Sequence, residues 1–356
     1  MRISPMKLTW AILASVAATA AAATVRPDVL PGGLRRLVLT APYAELVALR
    51  GWEAMLLGAA ALFFLIIGIV RRVLLQRGRI AFALAAVLAV CSVFHAGILI
   101  TRGFTNHGAL PPDRGVTART KGDGSVTVMQ YNTEGGRVPV KALADLVERN
   151  GVDVVTLVET STGSSRKLAA ELESRGLAFA RFDNGHSRYA ADWGSTVVLV
   201  SKGLGEYAER TLPRAIADAD LPAVAVGPVS GKGPSIVAVH TVAPTGASLD
   251  GRRMSEWKEH IAAAYGVCRE LPGAILAGDF NSTADHELVL GGTACRDAAA
   301  EAGSGAVGTW PSNVSPLLGA PIDRIMSPAG YRGDRAAIVD AGGSDHRGLI
   351  VRLHKR

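Results

Sequence analysis

The sequence predicts a mixed α/β sandwich carried behind a helical membrane region. Two observations place the membrane region: a basic N-terminus leading into an alanine-rich run, and two long runs almost free of charge at 52–70 and 80–100. A third predicts the sandwich: from residue 125 onward, short β-rich runs alternate with amphipathic helical stretches.

The chain has 356 residues, 49% hydrophobic and only 19% charged, an apolar composition for a soluble protein. The excess sits in residues 1–103, which also hold eleven Lys/Arg against three Asp/Glu, a balance of +8. The remainder carries 27 Lys/Arg against 28 Asp/Glu, a balance of −1. The overall charge of +7 therefore belongs to the membrane region. It gives no general basic surface for nucleic acid to the rest of the chain.

Residues 8–25 follow Arg2 and Lys7 and end in an Ala-x-Ala pattern, so they read either as a membrane helix or as a cleaved signal peptide. The run 52–70 has Glu53 as its one charge, and 80–100 has no formal charge, with His95 and the thiol of Cys91 as its ionisable groups. Each is long enough to cross a bilayer core of about 30 Å. Arg71, Arg72, Arg77 and Arg79 crowd the loop between them, which assigns that loop to the cytoplasm. The expected protein is then multi-pass in the cell membrane, with everything after residue 101 outside. Residues 104–124 are rich in Gly and Pro and read as a linker. The catalytic domain is expected over 125–356.

Within that domain, strands are expected at 126–131, 152–158, 196–201, 235–240, 274–277, 322–326 and 349–353. Helices are expected at 141–150 and 249–270. Polar residues gather at the strand ends: Asn132 after the first, Glu159 after the second, His240, then Asp279 and Asn281 in Gly278-Asp279-Phe280-Asn281. Asp323 opens a later strand, and Ser344-Asp345-His346 precedes the last. A single strand-end histidine is usually structural, and Asp-x-Asn often caps a helix. Six groups in this order, each at the end or start of an apolar run, point to one shared site. Hard oxygen donors such as Asn132, Glu159 and Asp345 suit Mg²⁺ or Mn²⁺ and not zinc. Asp279 and Asn281 can orient a water, and His346 beside the carboxylate of Asp323 would be held in one tautomer. Cys268 and Cys295 both fall in this domain. A bridge is permitted outside the cytoplasm, and two buried thiols are the alternative.

The order Asn, Glu, His, Gly-Asp-Phe-Asn, Asp, Ser-Asp-His resembles the endonuclease/exonuclease/phosphatase (DNase I-like) superfamily, and the layout is similar to its membrane-anchored bacterial members. The resemblance implies a four-layer α/β/β/α sandwich of two mixed sheets. It implies Asn132, Glu159 and Asp345 around a divalent metal, and His240 on the phosphate. It further implies Asp279 and Asn281 on the nucleophile, and His346 with Asp323 as an acid/base dyad. The chain departs from the pattern in carrying Val158 where a Gln usually precedes the metal-binding Glu. DNA-contacting insertions are not identifiable.

The expectation is a metal-dependent hydrolase of phosphate esters or diphosphates at the outer membrane face, with lipid-linked substrates in view. An extracellular nuclease is the alternative, disfavoured by the −1 balance. A catalytically inactive binding module on a membrane anchor would be expected to have lost one of the acidic or histidine positions, and none is lost. Oligomeric state is not legible.

Overall fold

The structure is a computed structural model that describes residues 5–110, 124–185, 194–231, 233–244 and 252–356. It divides into two units, Met1–Thr101 and Arg102–Arg356.

The first unit is helical: α1 (Pro5–Val25), two 3₁₀ segments (Pro27–Val29 and Gly32–Leu39), α2 (Tyr43–Ala48), α3 (Arg50–Leu75) and α4 (Arg79–Arg102). Leu8–Val25, Arg50–Leu75 and Arg79–Arg102 are long and apolar enough to cross a membrane. Both later helices outrun the apolar stretches that predict them, because their arginine-bearing ends remain helical. Gln76 adopts a left-handed conformation at φ 50°, which closes α3 before the turn into α4. Outward faces are apolar, with Leu62, Phe63 and Ile66 each more than half exposed.

α1 belongs to the bundle. Ala21 and Val25 pack with Ala61 of α3 and with Leu84, Leu88 and Cys91 of α4. A polar cluster sits among these apolar contacts. The fully buried His95 meets Thr24 Oγ1 at 3.0 Å through Nε2, and Arg50 at 2.9 Å through Nδ1. Arg50 also donates to the Val25 carbonyl. Cutting the chain at its Ala-x-Ala pattern would remove the helix that packs around His95 and Arg50 and uncover a buried polar cluster. Intact mass of the purified protein is therefore expected to include residues 1–25. A chain starting near residue 24 would contradict it.

The second unit begins as a strap. Thr105 donates to the Gly303 carbonyl, Asn106 Nδ2 to Ile338, the His107 amide to Ala336 and the Leu110 amide to Asn150 Oδ1. Residues 104–110, expected within the linker, lie on the domain and cover a sheet edge that would otherwise expose unpaired backbone. The stretch carries no periodic signal because a single extended pass needs none. Of the expected linker, residues 111–123 lie outside the described residues.

The first sheet comprises β1 (Val126–Asn132), β2 (Val154–Val158), β3 (Phe179–Asp183), β4 (Thr196–Ser201), β11 (Tyr331–Val339) and β12 (Gly348–Lys355), in the order β11-β12-β1-β2-β4-β3. The second comprises β5 (Tyr207–Glu209), β6 (Ala223–Pro228), β7 (Ser235–His240), β8 (Ala274–Asp279), β9 (Arg296–Asp297) and β10 (Asp323–Ser327), in the order β5-β6-β7-β8-β10-β9. Helices are α5 (Val140–Asn150), α6 (Thr162–Ser174), α7 (Arg214–Asp218), α8 (Arg252–Glu270), α9 (Ala284–Val289) and α10 (Ala298–Glu301).

Alternation along the strands builds the layers. Val126 and Val128 of β1 face the second sheet and join Ile236, Ile275 and Ile325 in the inner core. Met129 and Tyr131 face the other way, onto Leu143 of α5 and Leu168 of α6. α8 buries Trp257, Ile261 and Ala264 completely. Two mixed six-stranded sheets with helices form the expected DNase I-like sandwich.

Cys268 and Cys295 form a disulfide closing a separation of 27 residues. Loop-closure entropy of that length is worth about 3.5 kcal/mol. Reduction is expected to lower the thermal midpoint of the purified protein by roughly 10 °C. An unchanged midpoint after complete reduction would show that the bridge carries no stability.

Candidate functional site

The register of the second sheet sets His240 of β7 opposite Asp279 of β8, and Asp279 opposite Asp323 of β10. One row across three strands therefore carries a histidine and two aspartates. β7 and β8 are parallel and end at this row, while the antiparallel β10 begins at it. Residues that close two strands can thus meet one that opens a third. Close approach of β7 and β8 explains Gly278: a Cβ there would lie 1.9 Å from the Val239 carbonyl oxygen.

In the first sheet, Asn132 ends β1 opposite Val158 of β2, so Glu159 follows directly. Glu159 takes a left-handed backbone conformation at φ 52°, and its carbonyl accepts a hydrogen bond from Thr133 Oγ1. Thr133 also donates its amide to Val158. Paired this way, the chain turns sharply at the end of β2.

The two sheets meet at a buried polar group. His346 Nδ1 lies 2.8 Å from Asp323 Oδ2, and its Nε2 lies 3.7 Å from Asp279 Oδ2. Asn132 Nδ2 donates to Glu159 Oε1 at 2.9 Å and to Asp279 Oδ2 at 3.1 Å. Its Oδ1 accepts from the Glu134 amide at 3.0 Å, which orients the side chain with its NH₂ inward. His240 Nε2 stands 3.7 Å from Glu159 Oε1 and 3.9 Å from Asp279 Oδ2. Asn132, His240, Asp279, Asp323 and His346 are all buried, Glu159 is half-buried and Asp345 is exposed. Asn281 donates its amide to Asp279 Oδ1 and its side-chain nitrogen to the Thr241 carbonyl, tying the turn after β8 to the residue following His240.

Supporting contacts hold Asp323. Its amide donates to Thr309 Oγ1 at 3.1 Å, and Gln130 Nε2 approaches its Oδ1 at 3.4 Å. The next residue, Arg324, is buried and donates to Tyr265 Oη, Glu287 and Asp297, anchoring the start of β10.

Electrostatics follow from this crowding. Burial alone would lower the basicity of His346, but the Asp323 and Asp279 carboxylates prevail and push its pKa up to about 10. Burial and the repulsion of Asp323 raise the Asp279 carboxyl to about 6, against the pull of His346 and His240. Glu159 is also raised, by burial first and then by the charges of Asp345 and Glu134, despite its hydrogen bond from Asn132 and the opposing charge of His346.

A hard divalent cation fits this donor set. Burial and the charges of Asp345 and Glu134 make Glu159 hold its proton more tightly, a repulsion that a cation would relieve. Ligand atoms of Asp279, Asp323 and His346 also lie within 4.8 Å of one another and could hold a metal ion. Two candidate positions therefore exist. The one at Glu159 beside Asp345 offers only oxygen donors, the kind hard cations prefer. Asn132, expected as an oxygen ligand, instead turns its NH₂ toward Glu159 and Asp279.

The structure brings Asn132, Glu159, His240, Asp279, Asp323 and His346 together, sets Asp345 at their exposed rim, and places Asn281 in the turn that holds Asp279. Sequence reasoning missed Glu134, two positions after Asn132, whose Oε2 accepts from the Asp345 amide at 2.9 Å. It also missed Trp310, whose Nε1 donates to Asp345 Oδ2 at 2.9 Å. Neither stands at a strand end, the signal used to find the others.

The sequence matches the family described as Endonuclease/Exonuclease/phosphatase family over residues 129–346, a span that contains all eight expected site residues. No curated protein matches the chain. Among solved structures, humanized D. rerio TDP2 carrying 14 mutations is 16% identical, covered over 65% of this chain and 100% of its own, with a TM-score of 0.49. An endonuclease/exonuclease/phosphatase family protein from Bacteroides thetaiotaomicron is 15% identical, over 66% and 99%, with a TM-score of 0.48. The 3′ phosphatase NExo from Neisseria, bound to product DNA hairpin, is 17% identical over 64% and 98%, with a TM-score of 0.46.

Proposed function

From the premise that the chain belongs to the endonuclease/exonuclease/phosphatase family, we infer that it is a membrane-anchored, divalent-metal-dependent phosphoesterase working at the outer membrane face. Its substrates on this reading are lipid-linked phosphate esters or diphosphates. The observation that carries the chemistry is the buried line Asp323–His346–Asp279 beside Asn132 and Glu159.

Glu159 and Asp345 would hold Mg²⁺ or Mn²⁺, which supplies neutralisation of the phosphate oxygens when bound. Asp279, enclosed by Asn132, His240 and His346, accepts the proton of the attacking water, with the turn at Asn281 keeping that carboxylate in place. His346, oriented by Asp323 and carrying a proton, would give it to the leaving oxygen as the P–O bond breaks, and His240 presents an N–H to the phosphoryl oxygens. Asn132 steadies Asp279 and Glu159 against each other.

The outer location draws support from two independent features. Four arginines between α3 and α4 favour a cytoplasmic loop, and the Cys268–Cys295 bridge fits an oxidising compartment. A lipid-linked substrate suits a near-neutral domain held beside the headgroups by its own membrane segments, since tethering raises the effective concentration of membrane substrates. Polyanionic nucleic acid would call for a basic groove.

The deciding experiment is a release assay on the full-length protein in detergent with Mg²⁺ or Mn²⁺. It compares polyprenyl diphosphate, sphingomyelin, phosphoinositide and DNA. Phosphate release from a lipid-linked substrate is the expected result. Cleavage of DNA with the lipids untouched would replace this reading with that of a nuclease.

A further inference from the structure

Asp345 stands apart from the buried group. Its side chain is 52% exposed, yet contacts on three sides hold it. The backbone amide donates to Glu134 Oε2. The backbone carbonyl accepts from the Ser312 amide at 2.7 Å. The carboxylate oxygen Oδ2 accepts from Trp310 Nε1 at 2.9 Å. The other oxygen, Oδ1, is the one turned toward the site, 3.9 Å from His346 Nε2.

The segment that delivers the indole is itself braced. The buried Arg347 guanidinium donates to the carbonyls of Gly308, Pro311, Ser312 and Val314. Trp310 pairs through both backbone groups with Ala320. Its indole is only half-buried, so the tryptophan is not there to fill a core. Such bracing around a half-buried side chain makes sense if the indole N–H must meet Asp345 in one geometry.

We propose that Trp310 is the positioning residue that sets the metal selectivity of this site, by engaging Oδ2 and leaving Asp345 a single oxygen to offer. This rests on the reading that Glu159 and Asp345 hold the metal. Mg²⁺ demands a tight octahedral shell and takes carboxylates through one oxygen, whereas Ca²⁺ accepts larger shells and two-oxygen carboxylates. A carboxylate locked by an indole therefore favours the smaller ion. Residues that orient a ligand without touching the metal commonly change metal affinity by about 10–100-fold.

The test uses the full chain in detergent, stripped with EDTA, and titrated with Mg²⁺ or Ca²⁺ while the melting temperature and calorimetric heat are read. Trp310→Phe keeps an aromatic ring and deletes the donor. Its metal-free melting temperature, measured first, reports whether the variant is folded. The expected result is Mg²⁺ binding weakened by about tenfold, with Ca²⁺ binding unchanged or tighter, so that the preference between the ions narrows. Equal weakening of both ions, or no change in either, overturns the assignment. Glu159→Gln in the same titrations separates the two levels. If that variant also binds Mg²⁺ normally, the metal-site reading itself fails. If it binds poorly while Trp310→Phe keeps its preference, only the role of Trp310 is lost.

Discussion

Replacing Asp279 by asparagine or His346 by alanine lowers kcat by about two to four orders of magnitude, the usual contribution of a positioned acid or base. Asp279→Asn keeps the shape of the side chain, but an amide cannot accept a proton from water. Its carboxylate also faces Asn132 at 3.1 Å and His346 at 3.7 Å, so the substitution leaves those donors without their anionic partner. Asp323→Asn should be nearly as severe. Its Oδ2 lies 2.8 Å from His346 Nδ1, and an amide there can hold the imidazole in the wrong tautomer. Loss of the carboxylate also removes the main force that pushes His346 up against its burial. Substrate binding should change much less than turnover. If these residues were ordinary strand-end caps, the variants would melt early yet turn over normally once folded. Measuring melting temperature and kcat on the same preparations separates the outcomes, and that second pattern would end the proposed chemistry.

Chelation is the next largest effect. EDTA should abolish activity, and Mg²⁺ or Mn²⁺ should restore it. Glu159→Gln should raise the metal concentration needed for half-maximal rate, since it deletes a charged oxygen while preserving shape. The amide also ends the repulsion from Asp345 and Glu134 that a cation would otherwise relieve, so the variant should melt no earlier than the parent in chelator. Full turnover in EDTA would mean that these carboxylates only build the fold.

Much of this was legible because buried strands announce themselves. β1, β2, β4, β7 and β8 are largely apolar runs that stop at Asn132, just before Glu159, and at Ser201, His240 and Asp279, so a polar residue marks where each apolar pattern breaks. β11 escaped notice because it is an edge strand reading Tyr-Arg-Gly-Asp-Arg before its apolar half, and its exposed side tolerates charge. β3 is half-buried throughout and lacks a clear alternation for the same reason. At the site, the grouping of strand-end residues was readable, but the orientation of Asn132 was not. That depends on the Glu134 amide, a contact created by the turn after β1. Trp310, which holds the Asp345 carboxylate, comes from a segment 35 residues away, beyond the reach of any local pattern.

The left-handed backbone at Glu159 and Asn281, with φ of 52° and 43°, bears on how such a protein can adapt. An ordinary side chain in that region costs on the order of 1–3 kcal/mol, and glycine would relieve it. Here glycine would also remove the carboxylate beside Asn132 or the amide that ties the turn to Thr241. Glycine at either turn is therefore expected to bring no gain, because any relief of the backbone comes with the loss of a contact that holds the site.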